Sequence, residues 1–330
     1  MARTLLLSAL VVAACAPAAE EAAPVVAEAT PVAPAPVLSP PVDLTPEPTP
    51  ADDVLSDLGL VRPVAVVHDP ASDVYLISNA PSGGAPGFIT SLLPDGAVDA
   101  LRWIDGAERG VVLNRPAGMA LVQTRLVVAD GDHLRIFDRE TGVPRGEVFI
   151  PGATSLRDVA TGPRGAVYVT DAGKGHGASP GAVWRVSRRG TVSLVAKSSV
   201  LGRPEGLVCV GSTVWIAATA PKAFYGIDPA GTLTHGPSLP GAVTGVAQAE
   251  GHVFFSSPVG RSIYGGPLAG PFVPVVAGVD GPGDVGWDAA RRRLLVPRVE
   301  AGALGIYTLA PSATGGVTTT AAPTPDPKRG

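Results

Sequence analysis

The stretch Arg115-Pro-Ala-Gly-Met-Ala-Leu-Val-Gln-Thr-Arg-Leu-Val-Val-Ala-Asp130 decides the fold. Small residues lead into an apolar run, a short polar turn follows, and a second apolar run ends on a polar residue. That is the pattern of a β-hairpin. Variants occur at Arg62–Asn79, Leu156–Asp171, Arg203–Ala218, Val243–Ser257 and Gly281–Pro297. Aligned on Val66, Met119, Val159, Leu207, Val246 and Val285, the hairpins are spaced by 53, 40, 48, 39 and 39 residues. A strand-built repeat of this length predicts a β-propeller.

The segments between the hairpins complete the blades. A third apolar strand follows each hairpin, as in Phe88–Leu93, Val183–Val186 and Leu304–Tyr307. Five of these third strands run into a turn carrying Gly, which tolerates the positive φ such turns require. A fourth strand comes next, for example Val192–Val195 or Phe272–Val275. The expectation is an all-β, six-bladed propeller of four-stranded antiparallel blades. The sixth blade has no obvious fourth strand. Val54–Val61 is expected to supply it and close the ring, which removes open edges. A C-terminal strand from Val317–Thr320 is the alternative.

Both ends have a different composition. Arg3 and the apolar run Leu5–Ala14 have the form of a signal segment, too short to span a bilayer. Val12-Ala-Ala-Cys15 looks like a bacterial lipobox, with Cys15 lipidated. Ala16 after it, by resemblance to lipoproteins of two-membrane bacteria, implies the outer membrane. Residues 16–50 hold ten prolines and nine alanines, and their five charged residues are all acidic. Such a segment buries too little apolar surface to fold and reads as an extended tether. Residues 311–330 read as a disordered tail, leaving 51–310 for the propeller. The net charge of −4 argues against a nucleic-acid partner. No phosphate-loop or dinucleotide motif is present, so no organic cofactor is expected. With Cys15 lipidated, Cys209 has no disulfide partner and reads as a small core residue.

Residues 60–310 resemble the senescence-marker-protein/gluconolactonase/regucalcin superfamily. The likeness rests on His68–Tyr75, Arg115–Ala120, Arg157–Ala160 with Val167–Asp171, and Arg203–Leu207. It implies a lactonase with one divalent cation, often calcium, at the mouth of the central tunnel. The implied ligand positions fall on Val64, Arg157, Glu205 and Thr244. Val64 is apolar, Arg157 is cationic, and Thr244 stands where the family has a carboxylate base. Only Glu205 keeps an oxygen suited to a hard cation. This set predicts no tight metal binding and an eroded lactonase site.

Read without the family, the starts of the inner strands bring Arg157, Asp158, Glu205, Thr244 and Asp284 toward the axis as a cluster of mixed charge. The cluster fits either a polar ligand pocket or an internal ion-pair network. The longer loops at 79–87 and 171–181 are expected beside the mouth; Lys174 and His176 fit contacts for an anionic ligand, a proton-transfer partner, or a plain flexible surface loop. Arg291-Arg292-Arg293 reads as a solvated turn on the opposite face. Two functions remain in view. One is a lipid-anchored platform in the cell envelope, facing the periplasm or the cell surface, that binds a protein, peptide or small molecule on its top face. The other is a gluconolactonase-like hydrolase with a remodelled site.

Overall fold

A computed structural model of the chain describes residues 53–174, 180–220 and 222–309. The signal segment, Cys15, the tether, the tail and His176 lie outside these residues. The described strands form six separate four-stranded antiparallel sheets. Blade one is β2 (Pro63–Asp69), β3 (Val74–Asn79), β4 (Phe88–Leu92) and β5 (Val98–Asp105). Blade two is β6 (Pro116–Val122), β7 (Arg125–Asp130), β8 (His133–Asp138) and β9 (Pro144–Phe149). Blade three is β10 (Leu156–Thr161), β11 (Val167–Asp171), β12 (Gly181–Val186) and β13 (Val192–Ser198). Blade four is β14 (Pro204–Val210), β15 (Thr213–Ala218), β16 (Ala223–Ile227) and β17 (Leu233–Ser238). Blade five is β18 (Gly245–Ala249), β19 (His252–Ser257), β20 (Ser262–Pro267) and β21 (Val273–Ala277). Blade six joins β22 (Gly286–Asp288), β23 (Arg293–Arg298) and β24 (Ala303–Thr308) to β1 (Asp53–Leu55).

The innermost strands neighbour one another in a closed cycle, β2, β6, β10, β14, β18, β22 and back to β2. Ring closure is N-terminal, with Asp53, Val54 and Leu55 opposite Ile306, Gly305 and Leu304. The closing strand is shorter than the sequence suggests. Asp57 and Gly59 take left-handed φ values of 58° and 74°, which turn the chain off the sheet edge. Leu55, Leu58 and Leu60 still pack into the core between blades one and six.

The polar residues that end the first three hairpins have a structural task. Asn79 accepts a hydrogen bond from the Val61 N–H at 2.9 Å, and Asp130 accepts from Arg115 N–H at 2.6 Å. Asp171 likewise accepts from Ser155 N–H at 2.9 Å. Each side chain ties down backbone donors just ahead of its own blade's first strand, donors that would otherwise lack a partner. First strands β2 and β10 carry bulges between Pro63 and Ala65 and between Leu156 and Val159. A hydroxyl fills each gap. Ala65 N–H donates to Ser78 Oγ at 3.0 Å, and Ser78 donates onward to the Ala117 carbonyl at 2.9 Å. Asp158 N–H donates to Thr170 Oγ1, and Thr170 donates to the Glu205 carbonyl, both at 3.1 Å. One hydroxyl therefore repairs a bulge and links two blades.

Candidate ligand site at the tunnel mouth

The mouth is the end at which the innermost strands begin. These strands run close together. A Cβ at Gly118 would collide with Asp158, and one at Gly245 would collide with Asp284. Glycine there lets neighbouring blades pack tightly and carries each acid inward.

The five ring residues do not form one cluster. Asp158 is buried, and its carboxylate accepts from Val159 N–H at 2.6 Å and from Leu207 N–H at 2.8 Å. Asp284 accepts from Val246 N–H at 3.2 Å, and its carboxyl lies beside that of Asp158. Burial pushes the Asp158 carboxyl up to about 7, against the N–H groups that favour its charge. Burial and the Asp158 charge raise Asp284 well above the usual range. Two carboxyls raised side by side favour a proton held between them at neutral pH. They face a tunnel cavity of about 300 Å³ whose walls include His68, Met119, Leu207, Val246 and Trp287.

Glu205 belongs to a separate group nearer the surface. Arg203 Nε donates to it, and Arg157 Nε lies 3.5 Å from its other oxygen. That second approach makes no hydrogen bond, and the buried Arg157 Nε is left without a partner. Thr244 turns away from the opening. Its hydroxyl donates to the Pro282 carbonyl at 2.8 Å and meets Ser256 Oγ at 3.1 Å. Val64 contributes its carbonyl, which accepts from Asp284 N–H at 2.7 Å.

Above this lies a cavity of about 420 Å³ between blades one, two and three. Arg62, Arg115 and Arg157 line it with Ala80, Pro81 and Ser82 of the 79–87 loop, and among the described residues no carboxylate or aromatic ring does. The loop is thus beside the mouth, as its length suggests. Arg62 is paired with Glu300 at 3.2 Å at the exposed rim. Among the described residues the Arg115 guanidinium has no hydrogen-bond or ion-pair partner. Lys174 is exposed just beyond Asp171. Sequence reasoning missed Arg62 and Arg115 as site residues. The signal was the Arg-Pro pair ahead of β2, β6 and β14, in which Pro opens the strand and leaves Arg at the rim.

At the opposite end, Arg291, Arg292 and Arg293 are not a solvated turn. Arg291 bonds Asp73 at 2.6 Å and Asp288 at 3.1 Å. Arg292 bonds Glu250 at 2.5 Å, and Arg293 donates to the Pro94 carbonyl at 3.0 Å. Each also reaches a neighbouring blade, Arg291 and Arg293 blade one and Arg292 blade five.

The residues that would hold the cation implied by the resemblance do not fit one. Val64 offers no side-chain donor, Thr244 is engaged elsewhere, and Glu205 is taken by two guanidiniums. Among the described residues no group of three or more His, Cys, Asp or Glu side chains is placed to hold a metal ion. The shared acids lie in a different layer, tied to backbone N–H groups.

No family model and no curated protein sequence matches the chain. Solved structures do match. A gluconolactonase from Xanthomonas campestris is 18% identical, with 83% of this chain and 96% of that chain covered and a TM-score of 0.59. Virginiamycin B lyase from Staphylococcus aureus is 13% identical, with coverage of 78% and 99% and a TM-score of 0.57. A chain of a nidogen/laminin complex is 17% identical, with coverage of 63% and 76% and a TM-score of 0.52. The neighbours include a gluconolactonase, a lyase and a nidogen/laminin complex, so the likeness shows the fold alone.

Proposed function

We propose that the protein is a lipid-anchored propeller of the cell envelope, held at the outer membrane through Cys15, that binds its ligand at the tunnel mouth without metal-dependent lactone hydrolysis. One observation carries this reading: Glu205, the ring side chain best suited to a hard cation, is the counter-ion of Arg157 and Arg203. A guanidinium beside a divalent ion repels it, and more strongly in a partly buried pocket than in water. The test is calorimetry with calcium, zinc and manganese beside a lactone hydrolysis assay. Absence of both binding and turnover is expected. Micromolar metal affinity that disappears in Glu205→Ala overturns the reading. The anchor is tested separately by fatty-acid labelling, which Cys15→Ser is expected to abolish.

A second reading, a gluconolactonase-like hydrolase with a remodelled site, is favoured by the shared proton of Asp158 and Asp284. A carboxyl with a pKa near 7 suits general acid–base work. Lactone turnover lost in Asp158→Asn, with the variant still folded, would select this reading over the first.

A further inference from the structure

We infer that the mouth cavity is a site for a compact polyanion, a polycarboxylate or a phosphorylated polyol, held by the guanidiniums of Arg115 and Arg157 with Arg62 at the rim. Glu205 acts as its built-in competitor. The inference rests on the reading of the mouth as the binding face and names the chemistry that face selects.

Four observations lead there. The cavity of about 420 Å³ is large enough for an anion that carries an organic body. Three arginines line it and, among the described residues, no acid does. A guanidinium presents a planar fork of donors that matches carboxylate and phosphate oxygens. Among the described residues Arg115 is unpaired, and Arg157 keeps a buried Nε without an acceptor. Leaving a buried donor unsatisfied is costly, so an incoming oxyanion gains where water and protein do not supply a partner.

The lining also sets limits. Among the described residues no aromatic ring faces the cavity, so they offer no stacking surface for a nucleobase. Two or more anionic groups are favoured over one, because Arg115 comes from the start of blade two and Arg157 from blade three. Glu205 gives the site its own regulator. It holds Arg157 at 3.5 Å without a hydrogen bond, a contact loose enough to exchange for a better acceptor.

This predicts an effect opposite in sign to a metal site. Glu205→Gln removes the competing charge and tightens polyanion binding, whereas it would destroy a cation site.

The test is isothermal calorimetry on the full chain with citrate and, as a second arm, glucose 6-phosphate. Glucose and acetate serve as the neutral and singly charged controls. Binding of either polyanion is expected to weaken at least tenfold in Arg115→Gln and in Arg157→Gln. It is expected to persist in Arg189→Gln, on an exposed turn, and to fall with added salt. Arg115→Lys, which keeps the charge and loses the fork, should give an intermediate value. Thermal melts check that each variant is folded. The arm that binds tells carboxylate from phosphate.

Binding that weakens in Glu205→Gln, or is indifferent to both arginines, overturns the inference. A separate outcome is that neither polyanion binds while glucose slows amide exchange at 80–82 and 115–117. The polyanion then falls and the mouth survives as the binding face. Exchange protection confined to another part of the propeller would sink both.

Discussion

Away from the mouth, arginines of the hairpin turns act as staples between blades, while two at the mouth, Arg115 and Arg157, are loosely held. Arg139 of blade two bonds Asp69 of blade one at 2.8 Å, and Arg291 of blade six bonds Asp73 of blade one at 2.6 Å. Buried Asp288 accepts from Tyr75 Oη at 2.7 Å and from the N–H groups of Ala290 and Arg291, and His68 Nδ1 lies 3.4 Å away. At the mouth, by contrast, Arg115 is unpaired among the described residues and Arg157 reaches Glu205 without a hydrogen bond. The same residue type is spent on cohesion at one end and left in reserve at the other. Polar groups whose bonding is incomplete in a well-bonded molecule mark where a partner is expected.

The sharpest way to break the comparison is to delete a charge at each end. Asp288→Ala leaves Tyr75, His68 and Arg291 without a shared acceptor. It is expected to cost about 3–5 kcal/mol, as for loss of one member of a buried ion pair. Arg115→Ala is expected to change stability by no more than about 0.5 kcal/mol, as at ordinary surface sites. Urea denaturation of both variants is the check, and equal losses would end the distinction. The closing strand should come next. A chain shortened to begin at Pro63 loses β1 and the packing of Leu55, Leu58 and Leu60, and is expected to lose about 2–5 kcal/mol. One beginning at Asp52 should melt as the full chain does.

The third effect is pH dependence. Asp158 is held near 7 in the fold by burial and is an ordinary carboxyl when unfolded. Between about pH 4 and 7 the native state keeps a proton that the unfolded chain releases, so stability falls as pH rises through that window. Below it both states are protonated, and above it the loss is complete. Asp284→Asn removes the second raised carboxyl while its amide can still donate to Asp158, and should flatten this decline in a series of melting temperatures. An unchanged decline would mean the acids do not share their proton. The smallest effect concerns Cys209, whose thiol is pushed up to about 12, first by burial and then by the Asp158 charge. It is expected to react with a disulfide reagent at pH 8 far more slowly than a free thiol does.

The fold was legible because every blade repeats one local instruction. A run of apolar residues, a turn and a second apolar run is readable in each hairpin, and N-terminal closure followed from counting strands. The length of the closing strand was misjudged, since Asp57 and Gly59, residue types that take left-handed turns, sit between the apolar Leu55, Leu58 and Leu60 that suggest one continuous strand. The site was half legible. Arg157, Asp158, Glu205, Thr244 and Asp284 were all placed near the axis, but their depth and partners depend on how far each bulge shifts the strand. Sequence spacing does not encode that shift. Arg291 looked solvated because its partner Asp73 lies 218 residues earlier. Arg62 and Arg115 were overlooked because arginine at a loop is common and only the cavity gives it meaning.

The pairing of β1 with β24 also orders events in the making of the protein. Asp53–Leu55 leaves the ribosome before any other strand of the propeller, yet its partner lies roughly 250 residues further along. At ~5–20 residues per second that interval is about 10–50 s. Through that time blades one to five can assemble as each is completed, while blade six has neither its inner strands nor its outer one in place. A contact so distant in sequence forms slowly even once both strands exist. The waiting strand is only three residues long and carries Asp53, a poor template for pairing with a foreign edge. Brevity at that position weakens the finished ring slightly and protects the unfinished one.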